Sequence, residues 1–447
     1  MSRPRGNHRR ERLVVPAVIR ELANGGDGVA IVDARGERRA IFVRHAAPGD
    51  HVSLSVDLAT KPGVGTILRI DEPGPARVDP LCAHARRCGG CGWMHLSVPG
   101  QMAAHRERIR ATLPEAWKVV HLEAHSPRET LGYRTRTRLH VRASGGRAKV
   151  GLQEAKTHEP VEVDRCIILH PDLERARLLL PSLLEGARGR GEALVALGAA
   201  GKPVLELTWR AGQLAPRTFA GLEQGVRDGT WAGARVFEGE VSRPAVCGDP
   251  TPWTLGADGA PLRLAPGGFA QASEDSSADL GARLLAWSHE ILGTSLGDVI
   301  ELFAGAGNFT VLLGRHARSL VAVESDDEAC HALRRNLTER GLAAKVVHGL
   351  AERHAIPRRL DLAVLDPPRT GARRLMSSLL EAKPRVIAYV SCDVPTLARD
   401  LDVLGAAYEP VALEAFALFP HTPHVEILAV LSARTESWRG GKNKRPP

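Results

Sequence analysis

The chain has 447 residues, too many for one hydrophobic core, so two or three domains are expected. Its 60 Lys+Arg against 51 Asp+Glu leave a net charge of +9, which favours an anionic partner, nucleic acid first. No apolar run is long enough to span a bilayer, and the Arg-rich start lacks the apolar core of a signal peptide, so the reading is a soluble cytoplasmic protein with no membrane partner. Seven cysteines, an odd number unevenly spread, argue against a disulfide framework and for metal or catalysis in a reducing compartment.

In chain order, residues 1–11 read as a basic disordered arm. Short apolar runs then alternate with turns at Asn24–Gly28, at 34–38 and at Pro48-Gly49-Asp50, the pattern of a small β-barrel. The order Gly-Asp-Gly-Val-Ala, Ile-Phe-Val and Pro-Gly-Asp-His-Val resembles a TRAM domain over residues 12–72. That resemblance implies an OB-like barrel that binds RNA; a β module without a ligand is the plain alternative.

Residues 73–280 read as a central α+β domain. Cys82, Cys88 and Cys91 are spaced by five residues and then two, and Gly89 and Gly90 let the backbone fold tightly between thiolates. Cys166 is the natural fourth ligand. Structural zinc and an iron–sulfur cluster both accept four thiolates, and spacing does not choose between them. Cys247 and Cys330 fit no ligand pattern and read as structural. Between the two halves of this site, period-two alternation over 133–142 sets Arg134, Arg136, Arg138, His140 and Arg142 on one strand face. Such a row repels itself unless anions lie opposite; RNA phosphates would supply them, as would acids of the fold on a solvated edge. Residues 173–184 read as a helix, and 204–209 and 234–238 as strands.

Residues 281–433 alternate strands and helices, which means a doubly wound parallel sheet. Strands are expected at 298–303, 319–323, 345–348, 361–365 and 385–390. Gly305 and Gly307 form a turn after the first, and Glu324 ends the second, a pattern that fits an S-adenosylmethionine site. Strand four runs into Asp366-Pro367-Pro368-Arg369. An arginine stands where an aromatic would stack in an exocyclic-amine methyltransferase, which leaves carbon chemistry open. Cys392 sits at a strand's carboxyl end, before a helix opened by Pro395. A helix N-terminus lowers a thiol's pKa, so Cys392 is a candidate nucleophile; a small buried thiol is the alternative. Glu426, in a loop with two histidines and two prolines, is a candidate base or a surface acid. A basic tail is expected over 434–447.

Together the Cys82/Cys88/Cys91/Cys166 set, Phe269-Ala270-Gln271, Phe303 to Asn308, Asp366 to Arg369, Ser391-Cys392 and Phe419 to Glu426 resemble the RNA (uracil-5-)-methyltransferase family, over residues 12–433. The resemblance implies a TRAM barrel, a central iron–sulfur domain and a C-terminal Rossmann-like catalytic domain. It implies a structural [4Fe–4S] cluster on the four cysteines. Gln271, Phe303, Asn308, Glu324 and Asp366 would line the S-adenosylmethionine site. Cys392 would be the nucleophile, adding to carbon 6 of uracil, and Glu426 the base. Arg134, Arg136, Arg138 and Phe269 would meet RNA. Cluster-bearing members point to 23S ribosomal RNA before transfer RNA, and the family suggests a monomer with no obligate protein partner. Methylation of another RNA base and an idle RNA-binding iron–sulfur protein are the competing readings. Two positions depart from the family pattern: Asp393 stands where Asn is usual, and would raise the thiol's pKa if unpaired, and Ser273 likewise replaces Asn.

Overall fold

The computed structural model describes residues 12–434, except 35, 60, 155–156, 158, 241–242, 270 and 272. The expected basic arm, Ala270, and all but the first residue of the expected basic tail lie outside the described residues. The chain forms two compact units.

The first unit takes the described residues through Ala111 together with Pro420–Pro423. Five strands close a barrel in the order Arg12–Leu22, Gly28–Ala34, Glu37–Val43, Gly63–Glu72, His51–Asp57. Alternation drives the closure. In His51–Asp57 the residues Val52, Leu54 and Val56 point inward and are at most 1% exposed. They meet Ile19, Ala30, Ile41 and Val43 in one core. Each fully buried aliphatic side chain stabilises by about 1.5–3 kcal/mol. A closed barrel leaves no edge strand to pair with another chain. Beside it Asp50 is fully buried. Burial alone would raise its pKa, but Arg77 and the amides of Gly74 and Ala47 outweigh that and hold the carboxyl below its ordinary range. Cys82, Cys88 and Cys91 lie in a loop of this unit, tightened by Cys88 N–H donating to the His84 carbonyl at 2.8 Å.

The second unit holds two large sheets. The first has seven strands in the order Ala245–Gly248, Gly233–Glu238, Pro203–Gln213, Arg188–Leu197, Arg136–Ser144, Arg147–Gln153, Pro160–Val161. Helices Pro171–Leu183 and Pro216–Arg227 cover one face, where Leu173, Leu180 and Leu222 pack on Leu139, Val195, Leu207 and Trp209.

The second sheet has eight strands, ordered Lys345–His348, Ser319–Glu324, Asp298–Leu302, Leu362–Leu365, Val386–Ser391, Glu426–Ala433, Tyr408–Phe416, Leu122–His125. All are parallel except Glu426–Ala433. The strands are apolar on both faces, as helices on both sides require: Leu362–Leu365 and 386–390 are fully buried. From Asp298–Leu302 the chain first builds outward to one side, then crosses back to Leu362–Leu365 on the other. That reversal opens a crevice at the carboxyl ends of the strands, the usual ligand position in such sheets. No helix among the described residues is long and apolar enough to cross a membrane.

Candidate active site

The crevice is built by four strand ends. The turn after Asp298–Leu302 begins with Phe303 at a positive φ of 65° and continues through Gly305 (φ 56°) and Gly307 (φ 94°). At Gly307 a Cβ would sit 2.2 Å from Leu333 Cδ1, so φ and space both demand glycine. The next strand ends in Glu324. One of its oxygens accepts from Gly305 N–H at 2.8 Å, the other from the amides of Ser325 and Asp326 at 2.7 Å. The carboxylate thereby pins the glycine turn from beside it.

Leu362–Leu365 delivers Asp366, and Val386–Ser391 delivers Cys392. Because Glu426–Ala433 runs antiparallel, its start lies at the same rim: Ser391 pairs with Ile427, which sets Cys392 and Glu426 next to each other. Glu426 is 2% exposed. Burial, reinforced by Asp366, lifts its pKa well above the ordinary carboxyl value, while Arg369 acts in the opposite direction. Burial also raises Asp366, to about 7. The Cys392 thiol is pushed up to about 11 by burial, by Glu426 and by Asp366, with Arg369 again opposing. The lowering expected from a helix N-terminus is therefore outweighed by desolvation and two neighbouring acids.

Arg369 reaches His424, with Nη2 3.2 and 3.3 Å from the ring nitrogens, and the ring of His424 lies edge-on to Phe419. The loop carrying Arg369 is fixed from the helix after Cys392, Val394–Leu404. Buried Asp400 accepts from Ala372 N–H at 2.7 Å and from Tyr389 O–H at 2.8 Å. Arg399 donates to the Thr370 carbonyl, and the Thr396 hydroxyl to the Arg369 carbonyl. Asp393 is the N-cap of that helix and accepts from Thr396 N–H at 2.9 Å. Asn and Asp cap equally well, which accounts for the exchange at this position. Its carboxylate is paired with the helix, so the condition under which it would raise the thiol is not met.

The expected cofactor residues divide. The carbonyl oxygen of Gln271 is buried with no hydrogen-bond partner among the described residues, as an atom awaiting a ligand would be. Asn308 instead spends its amide on the protein, accepting from Ala257 N–H at 2.9 Å and donating to the Ser277 hydroxyl at 3.2 Å. Phe269 is 75% exposed. Of the arginine row, Arg134 lies outside the strand and its guanidinium donates to the Arg136 carbonyl. Arg136 is desolvated, its pKa lowered to about 10 by burial first and by Arg138, and its Nη1 has no partner among the described residues. Arg138 pairs with Glu192 at 2.9 Å. The sequence reading missed Glu301, 2% exposed beneath the glycine turn. Its carboxyl accepts from the Thr310 hydroxyl at 2.6 Å and is lifted to about 8 by burial, against that hydrogen bond, with Asp366 and Glu324 adding. The available signal was a lone acid inside an apolar strand, four residues before a Gly-x-Gly turn.

This crevice gathers acids, a thiol and one arginine at a rim suited to a cationic ligand. A sequence model of the family tRNA (Uracil-5-)-methyltransferase matches residues 265–349, which contain the glycine turn and Glu324. The chain is 33% identical over 461 residues to the 23S rRNA (uracil(1939)-C(5))-methyltransferase RlmD of Halomonas elongata, covering 96% of this chain and 91% of that protein. It is 30% identical over 456 residues to an uncharacterized RNA methyltransferase of Gloeobacter violaceus, covering 94% and 96%. Among solved structures, the Pyrococcus abyssi tRNA (uracil-54, C5)-methyltransferase in complex with S-adenosyl-L-homocysteine superposes with a TM-score of 0.73 at 23% identity, covering 93% of this chain and 100% of that one, a likeness of fold. Sharing a third of its residues with the Halomonas elongata protein along nearly the whole of both, the chain belongs to the RNA (uracil-5-)-methyltransferase family.

Proposed function

We propose that this chain transfers a methyl group from S-adenosylmethionine to carbon 5 of a uridine in RNA, large-subunit ribosomal RNA before transfer RNA, through a covalent adduct of Cys392. The observation that carries this is the juxtaposition of Cys392 with buried Glu426 at one rim of the sheet. The ribosomal preference follows the RlmD relatives. When bound, S-adenosylmethionine supplies a methyl group on a cationic sulfur. The crevice fits that charge: Glu301, Glu324 and Asp366 share one neighbourhood, and the orphaned Gln271 carbonyl offers a further acceptor.

Carbon 5 of uracil is a weak nucleophile. Cys392, as thiolate, adds through Sγ to carbon 6, and the electron pair of the 5,6 double bond moves onto carbon 5 and the oxygen of the neighbouring carbon 4 carbonyl. Carbon 5 then takes the methyl group, whose bond to the donor sulfur breaks with its electron pair left on that sulfur. Glu426, as carboxylate, removes the remaining proton on carbon 5, the pair re-forms the double bond, and the thiolate leaves. Burial makes Glu426 a stronger base than an exposed carboxylate, provided it is ionised at that moment. Arg369 is the cation that favours the charged forms of both groups. We also carry forward the [4Fe–4S] cluster on Cys82, Cys88, Cys91 and Cys166, and the name TRAM for the barrel. Their support is the four-thiolate donor set and the sequence pattern.

The test is RNA carrying 5-fluorouridine, whose fluorine cannot leave as a proton. Wild-type protein is expected to form an adduct that survives denaturing electrophoresis, and Cys392→Ala none. Absence of an adduct with folded protein, under conditions where ordinary RNA is methylated, would overturn the covalent route.

A further inference from the structure

Helices cover one face of the seven-stranded sheet, and the opposite face carries its charges outward. Three strands of that face bring cations into a line. Arg142 pairs directly with Lys149 on one neighbour and with Arg190 on the other. Directly paired residues of antiparallel strands stand on the same face, so the three side chains are adjacent. All three residues are exposed. Beyond Arg190 the ladder slips: Arg190 pairs with Ala211 and Gly191 with Trp209, leaving Arg210 as the extra residue of a bulge. Bulges re-aim side chains at functional surfaces, and this one carries Arg210 beside Arg190 of the paired strand.

Elsewhere on the face several arginines have acids beside them, while Nη1 of Arg136 has no partner among the described residues. Arg138 pairs with Glu192, and Arg235 with Glu206 at 2.5 Å. In the line itself Arg142 has Glu159 at 2.6 Å and Arg210 has Glu192 at 3.7 Å. Among the described residues no carboxylate pairs with Lys149 or Arg190. Like charges set directly opposite each other destabilise a sheet, so the fold gains nothing from this line. A polyanion would compensate it, and phosphates of a nucleic-acid backbone match a row of separate cations better than one small anion does.

We propose that Lys149, Arg142, Arg190 and Arg210 form a phosphate-binding track that holds the RNA substrate. The inference rests on RNA being the substrate, and it moves the contact along the strand from Arg136 and Arg138 to its far end. The probe is unmodified large-subunit ribosomal RNA transcribed in vitro, with binding measured across a salt series and methyl transfer measured in parallel. Lys149→Ala/Arg190→Ala is expected to weaken RNA binding several-fold and to flatten the slope of log affinity against log salt by roughly 0.7 per cation removed. Arg190→Glu should weaken it further, while affinity for S-adenosylmethionine stays as in wild type. Variants that match wild type in slope and affinity would overturn the track. So would an equal loss in Arg358→Ala/Arg359→Ala, which removes the same charge elsewhere. Failure of the wild-type protein to methylate any RNA would instead remove the functional reading, and the track with it.

Discussion

Cys392 shows how one side chain inherits its chemistry from its neighbours. Burial, Glu426 and Asp366 hold its thiol up at about 11, against Arg369. Above pH 8 Asp366, with a pKa of about 7, is ionised and repels the thiolate. Removing that charge must lower the thiol's pKa, and removing Arg369 must raise it. Alkylation of Cys392 by iodoacetamide, followed across pH 8–11 by mass spectrometry of its peptide, is therefore expected to shift in opposite directions. Asp366→Asn should move the midpoint down and Arg369→Ala up, each on the order of one pKa unit. Both variants moving the same way would refute this account. At this scale the sequence told a good deal. Cys392 and Asp366 follow the ends of their strands, as expected, whereas Glu426, expected in a loop, opens a strand. Their protonation was not legible, because it depends on burial and on pairs as distant as Asp366 and Glu426. A helix terminus was visible in Pro395; the desolvation that outweighs it was not.

The element that organises the rim is helix Val394–Leu404, which fixes both Cys392 and the loop opposite. Asp393 caps it beside Cys392, and Asp400, about two turns on, ties down the segment after Arg369. Asp400→Ala would leave Tyr389 O–H without its buried acceptor, Ala372 N–H with only its longer bond to the Tyr389 hydroxyl at 3.1 Å, and Arg399 without its pair. We expect a loss of about 2–4 kcal/mol in urea unfolding and a lower kcat/KM, with the milder Asp400→Asn recovering part of both. An unchanged unfolding midpoint in Asp400→Ala would show that the network is dispensable. Strands at 204–209, 234–238 and 345–348 were predictable because each is an apolar run between turn signals. Leu122–His125 was not: it joins the sheet beside Tyr408–Phe416, far away in sequence, and nothing local announces that pairing. The same distance hid the cluster beneath it. Glu414 is 1% exposed, accepts from Arg283 at 2.6 Å and from His125 at 2.8 Å, and is held to about 2 against the opposing effect of burial. Glu123, His125 and Glu414 could cage a cation, and the Arg283 guanidinium already takes that role.

For the whole molecule, the order of modules was readable because each has its own periodicity: two-residue alternation in the barrel, then strand–helix alternation in the catalytic sheet. The metal prediction also belongs to this scale. Protein purified without oxygen should be brown, contain iron and sulfide, and bleach on reduction, and each of Cys82→Ser, Cys88→Ser, Cys91→Ser and Cys166→Ser should lower its iron content. Colourless protein containing zinc would overturn the cluster. The antiparallel strand Glu426–Ala433 has a further consequence, for biosynthesis. It fills the slot between Val386–Ser391 and Tyr408–Phe416, both made earlier on the ribosome. Until it emerges, those two strands each expose an unpaired apolar margin, the kind of surface that invites aggregation and chaperone capture. Glu426 therefore arrives with the piece that closes the gap, so a nascent chain lacking that strand has neither a continuous sheet nor a complete crevice rim.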